Sequence, residues 1–162
     1  MKVLAFDQST RKTGWSLFED GQYVKSGVIS LGDIEDTEER SKQMGLAICK
    51  RIAEVAPEAV VIENVQNQSN VATVILLARL QGVILGYCHA NNIRSEILGP
   101  TQWRAALHYN QGRGVKRTEL KKQSRDFVKK TYELTIKSED ENEAIAINAA
   151  AHRILDFDIW GI

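Results

Sequence analysis

The apolar positions of this chain fall into short runs and spaced series that alternate along its length. "KVLAFD" (2–7) is a mostly apolar run closing on an acid, the pattern of a buried strand. "GWSLFED" (14–20) and "YVKSGVIS" (23–30) are two further strand candidates. Between them "DGQ" (20–22) supplies hairpin chemistry, with Gly21 able to take positive φ. An acidic connection from Asp33 to Glu39 leads into a series in which Met44, Ala47, Ile48, Ile52 and Val55 recur near a 3.6-residue period. That spacing predicts a helix, and Pro57 stops it. "AVVIEN" (59–64) again runs apolar to an acid. "NQSN" (67–70) reads as loop and cap for a long apolar helix over 70–91, and "IRSEIL" (93–98) as a fifth strand that "GP" at 99–100 breaks.

Beyond residue 100 the texture changes. "TQWRAAL" predicts a short helix, "HYNQGRG" (108–114) a polar, mobile loop, and "VKRTELKKQSRDFVKKTY" a basic helix with Leu120, Phe127 and Val128 on its apolar face. "IKSEDENEAIAINAAAHRIL" (136–155) supplies the last helix. The whole is an α/β pattern: a five-stranded mixed sheet, its first three strands antiparallel, flanked by helices. No internal repeat, low-complexity tract or linker interrupts it, so one domain spanning 1–162 is expected.

Composition changes this picture little. The apolar fraction of 43% and the charged fraction of 26% are ordinary for a globular chain. No apolar run is read as approaching the roughly 20 residues needed to cross a bilayer. "MKVLAFDQST" lacks the pattern of a signal peptide. Cys49 and Cys88, each in an apolar helical stretch, read as reduced core cysteines of a cytoplasmic protein.

Charge changes it more. The net charge is zero, but residues 101–130 hold nine Lys and Arg against Glu119 and Asp126, a local net of +7. Such a segment fits a polyanionic ligand or a solvated helix with basic faces.

The candidate chemistry is carboxylate chemistry. Asp7 and Glu63 each end a predicted strand, and sites in open α/β sheets form at the carboxyl ends of strands. Acids also end strands merely to reach solvent. The helix start at "SEDENEA" adds a second observation. Asp140 and Glu143 are spaced i, i+3 and share a face with Ala144 and Ile147, where the core should lie, whereas Glu139 and Glu141 are angled away. Charge complementing the helix dipole explains one or two acids here, but not one a full turn in. Asp7, Glu63, Asp140 and Glu143 together are four carboxylates from three elements. Such a set can hold two divalent ions roughly 3.5–4 Å apart, the clamp of phosphodiester hydrolysis.

With these residues in view the chain resembles the RuvC family of Holliday-junction resolvases, within the RNase H-like superfamily. The matching stretches are "AFDQSTRKTGW", "VVIENV", "GPTQWR" and "DENEAIAINAA", in that order, over residues 2–155. The resemblance implies a structure-selective endodeoxyribonuclease that acts as a homodimer and nicks four-way junctions symmetrically. It implies Asp7, Glu63, Asp140 and Glu143 as ligands of two Mg²⁺ ions, with Mn²⁺ able to substitute. Glu143 stands where the family often has Asp. The resemblance also implies DNA contacts from the basic segment, at Arg104, Arg113, Lys116, Arg117 and Lys121. Arg104 and Lys116 lie where the family has lysines, with Lys121 the alternative to Lys116. Compact members of this kind occur in bacteriophages, so a phage origin, with action in the host cytoplasm, is an expectation.

One departure is plain. The cellular enzymes carry an aromatic residue three positions after the second acid; here that position is Gln66, and no aromatic lies between Tyr23 and Tyr87. A stacking wedge is absent there, which predicts weaker junction-sequence preference. Ser9, Thr10 and Thr13 are expected to brace the turn after Asp7, with Ser9 and Thr10 beside the scissile phosphate as the alternative. Trp103 is expected to anchor the basic segment by packing, with DNA stacking as the alternative. His89, His108 and His152 lack metal-ligand spacing. The helix over 70–91, with Val74, Leu77, Leu80, Gln81 and Ile84, divides between core and a candidate dimer surface. Three other readings stand beside the junction enzyme. One is a nuclease of the ribosomal-RNA-processing branch, related in fold, against which the basic 101–130 segment counts. "DQSTRKTGW" also resembles the first phosphate loop of sugar kinases and actin-like ATPases, but those folds need a second such domain. A non-catalytic, branched-DNA-binding RNase H-like module is the third, and the presence of all four acids argues against it.

Overall fold

The computed structural model describes residues 1–157; residues 158–162, which the single-domain expectation includes, lie outside the described residues. One sheet contains β1 (Lys2–Asp7), β2 (Lys12–Glu19), β3 (Gln22–Ser30), β4 (Ala59–Glu63) and β5 (Arg94–Leu98), in spatial order β3-β2-β1-β4-β5. β1, β2 and β3 pair antiparallel; β4 runs parallel to β1, and β5 parallel to β4. This is the mixed α/β sheet that the hydrophobic pattern predicts.

Local chemistry sets the boundaries. Asp20 and Gly21 take φ of 50° and 76°, the pair of positive values a two-residue type I′ hairpin turn requires. α1 (Thr37–Val55) is capped by Asp36, whose side chain accepts from the Glu39 N–H at 2.7 Å, and it ends at Ala56 in a left-handed conformation just before Pro57. α2 (Val71–Ala90) is capped by Asn70. "GP" ends β5 and starts the next helix at once: Pro100 opens α3 (Pro100–Ala106), where a missing N–H costs nothing. α4 (Arg117–Tyr132) carries the basic residues. Ser138 caps α5 (Glu139–Ile154) through the Glu141 N–H.

Strand alternation sorts the side chains into two layers. Leu4, Phe6, Trp15, Leu17, Val60 and Ile62 face α1 and α2. Val3, Ala5, Phe18, Ala59 and Val61 face α3, α4 and α5. The same parity carries Asp7 and Glu63 to the α5 side. On that side the strands offer small residues, and α5 answers with alanines, so its buried stretch runs from Asn142 to Ala151. Asn148 fixes the approach. Its side-chain amide donates to the Val3 and Ser16 carbonyls at 3.1 and 3.0 Å, and Ser16 Oγ donates to the Ala144 carbonyl at 2.7 Å.

Two expectations need correction. α2 is 20 residues long and apolar enough, by length and composition, to cross a bilayer, so the chain does hold one such run; 17% of its most apolar window is buried. Leu80, Ile84 and Cys88 lock it against the sheet beside α1, which makes it a helix of this layer with an uncovered apolar face. The positions expected to divide between core and surface do divide. Leu80 and Ile84 point into the core, Gln81 accepts from the Val65 N–H at 3.3 Å, and the exposed side chains are Val71, Ile75 and Val83 with Leu46 of α1. The loop 108–114 is also tied down rather than loose. Gln123 of α4 accepts from the Asn110 N–H at 2.7 Å and donates to its carbonyl at 3.0 Å, and Tyr109 Oη donates to Ser124 Oγ at 3.2 Å.

Candidate active site

β1 and β4 lie side by side with Phe6 beside Ile62. Asp7 and Glu63 follow at the same level on the same face. α5 crosses that end of the sheet and brings Glu143 and Asp140 from its first turns. The approach is as close as backbone allows. Gly14 pairs with Asp7 across the β1/β2 ladder, and a Cβ there would sit 1.9 Å from the Asp140 carbonyl oxygen. Only glycine leaves room for the first turn of α5 to touch β2, and that contact sets where the α5 acids stand relative to Asp7.

The electrostatics follow from crowding. Burial pushes the Asp7 carboxyl well above the usual carboxylate range, and the charges of Glu143, Glu63 and Asp140 push it further. Asp7 and Glu143 act on each other directly, and Asp7 is the more strongly raised of the two. Glu143, 8% exposed, is raised by burial against the opposing pull of Arg104, whose Nη2 lies 3.9 Å from Oε1. Glu63 is raised by burial although the Trp103 indole N–H donates to its Oε2 at 2.7 Å. Burial raises Asp140 too, and the nearby charges of Lys121 and Lys12 oppose it.

As they stand, no three His, Cys, Asp or Glu side chains among the described residues close to the spacing of a formed metal centre. Burial and mutual repulsion oppose ionisation of these acids, and Glu63 takes an indole N–H. The donor set fits a hard divalent cation nonetheless. Every donor is a carboxylate oxygen, the choice of Mg²⁺ and Mn²⁺. Gln8 adds a buried Oε1 with no hydrogen-bond partner while its Nε2 donates to the Glu63 carbonyl at 2.6 Å.

The basic candidates separate by position. Arg104 lies inside, its guanidinium 5.0 Å over the Trp103 ring and facing Glu143. Arg113, Lys116 and Arg117 are exposed at the start of α4. Lys121 pairs with Glu139, and its charge reaches Asp140 and Glu143. Of the two alternatives, Lys121 is therefore the one beside the acids, whereas Lys116 caps α4 at the rim. Glu141 accepts from Ser26 Oγ at 2.6 Å and stays out of the cluster. Ser9 and Thr13 brace the turn after Asp7, with Ser9 Oγ donating to the Lys12 carbonyl at 2.6 Å and Thr13 Oγ1 to the Ser9 carbonyl at 2.9 Å. His152 stacks on Phe18, away from the acids. Gln66 is exposed in the loop after β4. Sequence reasoning missed two contributors. Gly14 looked like a strand residue, and Trp103 like a packing anchor or a DNA-stacking ring; the only signal for either was its place inside "TGW" and "QWR".

Comparison with known proteins agrees. The family model for the crossover junction endodeoxyribonuclease RuvC matches residues 3–152. The RuvC of Hydrogenovibrio crunogenus is 30% identical over 119 residues, covering 71% of this chain and 68% of that protein. The RuvC of Caldicellulosiruptor saccharolyticus is 29% identical over 112 residues, covering 66% and 68%. Among solved structures, Thermus thermophilus RuvC in complex with a Holliday junction shares the fold at TM-score 0.74 and 16% identity, over 94% of both chains. The Fowlpox virus resolvase bound to Holliday junction DNA shares it at TM-score 0.59 and 12% identity, over 94% of this chain and 92% of that one.

Proposed function

The chain belongs to the RuvC family of crossover junction endodeoxyribonucleases, and from that premise we propose that it nicks four-way DNA junctions by metal-dependent phosphodiester hydrolysis, as a homodimer of one RNase H-like domain acting in the cytoplasm. The observation that carries this reading is the convergence of Asp7, Glu63, Asp140 and Glu143 at one end of the sheet, each with its pKa raised. These four would hold two Mg²⁺ ions, with Mn²⁺ able to substitute. When bound, such ions activate an attacking water and stabilise the leaving oxygen.

The remaining roles belong to the protein. Arg113, Lys116 and Arg117 present cations at the rim of the acid cluster, where a DNA backbone can reach them. Their phosphate contacts position the strand without reading bases, so binding weakens steeply with salt. Lys121 brings its ammonium to the edge of the cluster and holds the scissile phosphate against the acids. Arg104 balances Glu143 from within and takes part in phosphate binding from that deeper position. The open face of α2, where added Cβ atoms on Gly82 and Gly86 would meet nothing, supports close approach of a second copy. Two copies set two acid clusters at a fixed separation, which selects branch geometry. The aromatic-free loop at Gln66 supports weak junction-sequence preference.

The test uses a labelled four-way junction with Mg²⁺. The wild-type protein should give paired symmetric nicks. Asp7→Asn and Glu143→Gln should each lose about 10³-fold in nicking rate or more, the scale of several kcal/mol of transition-state stabilisation, while still binding the junction. Nicking that persists in Glu143→Gln rejects the four-carboxylate site. No nicking of any branched DNA in Mg²⁺ or Mn²⁺ favours the binding-module reading instead.

A further inference from the structure

Glu63 is held unlike the other three acids. Asp7 and Glu143 crowd each other, with Arg104 facing Glu143, and Asp140 stands in the first turn of a helix that is itself largely buried. Glu63 ends a strand, and its carboxylate takes its direction from one neighbour outside the acid cluster, Trp103. The indole Nε1 donates to Glu63 Oε2 at 2.7 Å.

The donor is fixed from several sides. Trp103 is fully buried, and its ring meets Tyr109 edge-on at a centroid distance of 5.6 Å. The Arg104 guanidinium covers the same ring at 5.0 Å. α3, which carries Trp103, starts directly from β5. The Asn64 N–H, next to Glu63, donates to the Leu98 carbonyl at the end of that strand at 2.9 Å. Glu63 and the base of α3 are therefore tied to the same strand pair, so the indole and the carboxylate keep their relative position. Packing alone does not require an indole here: a phenyl ring would face Tyr109 and Arg104 as well. What only the indole supplies is one N–H, and a tryptophan N–H can donate but never accept.

We propose that Trp103 is a positioning residue for the metal-binding reaction, whose indole N–H fixes Glu63 Oε2 and so presents Oε1 to a divalent cation. The proposal rests on the metal-dependent reading above. Outer partners of ligating groups commonly change metal affinity 10–100-fold when removed. Trp103 does not touch DNA or the reacting atoms in this scheme; it acts through Glu63.

The experiment measures Mn²⁺ affinity by EPR titration in the absence of DNA, for wild type, Trp103→Phe, Glu63→Gln and the double variant. Alongside it, nicking is followed across a Mg²⁺ series. Trp103→Phe should weaken Mn²⁺ binding about 10-fold and shift the half-saturating Mg²⁺ concentration upward by a similar factor. Most of the rate should return at saturating Mg²⁺, and metal-free junction binding should not change. In the Glu63→Gln background the same substitution should leave Mn²⁺ affinity where it was. If Trp103→Phe fails to fold, a benzothienylalanine replacement at position 103 keeps the bicyclic ring and exchanges N–H for sulfur, and the same 10-fold weakening is expected. Unchanged Mn²⁺ affinity in either replacement overturns the proposal. So does an equal loss with and without the Glu63 carboxylate, which would mean a packing role only. In both cases wild-type nicking persists and the nuclease reading stands. A wild-type protein that binds no Mn²⁺ and nicks nothing overturns both.

Discussion

α2 and α5 are helices of similar length on opposite faces of one sheet, and their surfaces invert what their sequences suggest. α2 is the more apolar, yet Val71, Ile75 and Val83 lie open to solvent. α5 begins with a cluster of acids, yet ten consecutive residues from Asn142 to Ala151 are buried. The difference is one of backbone approach. Gly14, Ser16 and Ala5 let α5 settle onto the centre of the sheet, so it contacts four strands. α2 lies over the β4–β5 side and shares its layer with α1. Burial here is decided by how near the strands let a helix come. Apolar content that the strands do not meet is left on the outside.

The largest expected effect tests that approach. Gly14→Ala places a Cβ within bonding distance of Asp140 backbone atoms, so α5 must lift or the strand must shift. Urea unfolding should show a loss of about 3 kcal/mol, the upper range of overpacking, and nicking should fall with it. A near-wild-type midpoint would mean that α5 is not seated by this contact.

The second effect tests α2. Val83→Arg should weaken self-association by about 2 kcal/mol or more, the scale of a central interface residue, while an exposed substitution leaves folding within about 0.5 kcal/mol. Light scattering should then report monomer, and paired nicks should become single. A dimer that survives the change would move the interface elsewhere.

The third concerns pH. Asp7 is raised first by burial and then by Glu143, Glu63 and Asp140, and its carboxyl therefore binds its proton more tightly folded than unfolded. Its contribution to stability is complete below the ordinary carboxylate pKa of about 4 and is lost as pH rises through the raised folded value. In EDTA, the protein should grow less stable from mildly acid to neutral pH. Asp7→Asn should flatten that slope and gain about 0.5–2 kcal/mol at neutral pH while abolishing nicking. A slope of the opposite sign would show that the acids are ionised and well paired.

The smallest effect lies at the rim of α5. Glu139→Gln removes a dipole complement and an exposed pair with Lys121, and thermal melts should shift by no more than about 1 kcal/mol. Nicking should persist, unlike in Glu143→Gln four residues on.

Much of this was legible in the residues. "KVLAFD" and "AVVIE" are continuous apolar runs closing on an acid, which marks two buried strands and sets Asp7 and Glu63 at their ends; the level the two acids share comes from the pairing of β1 with β4. The i, i+3 spacing put Asp140 and Glu143 on one face of α5. The missing parts depend on three-dimensional facts with no periodic trace. Trp103 meets Glu63 only because α3 springs from β5 at a particular angle. The loop 108–114 reads as mobile because its residues are polar, but Gln123, thirteen residues on from Asn110, pairs with both backbone groups of that residue. α2 reads as divided between core and surface without showing which side chains fall where, because composition reports the affinity of side chains for an apolar partner and not which partner meets them.

Asn148 joins three elements at one point. One buried amide links α5 to the backbones of β1 and β2, the strand of Asp7 and the strand of Gly14. Asp7 stands on one of the joined elements, and Asp140 and Glu143 on another. A single side chain thus registers three of the four acids against one another, as a pin through stacked plates keeps their holes in line.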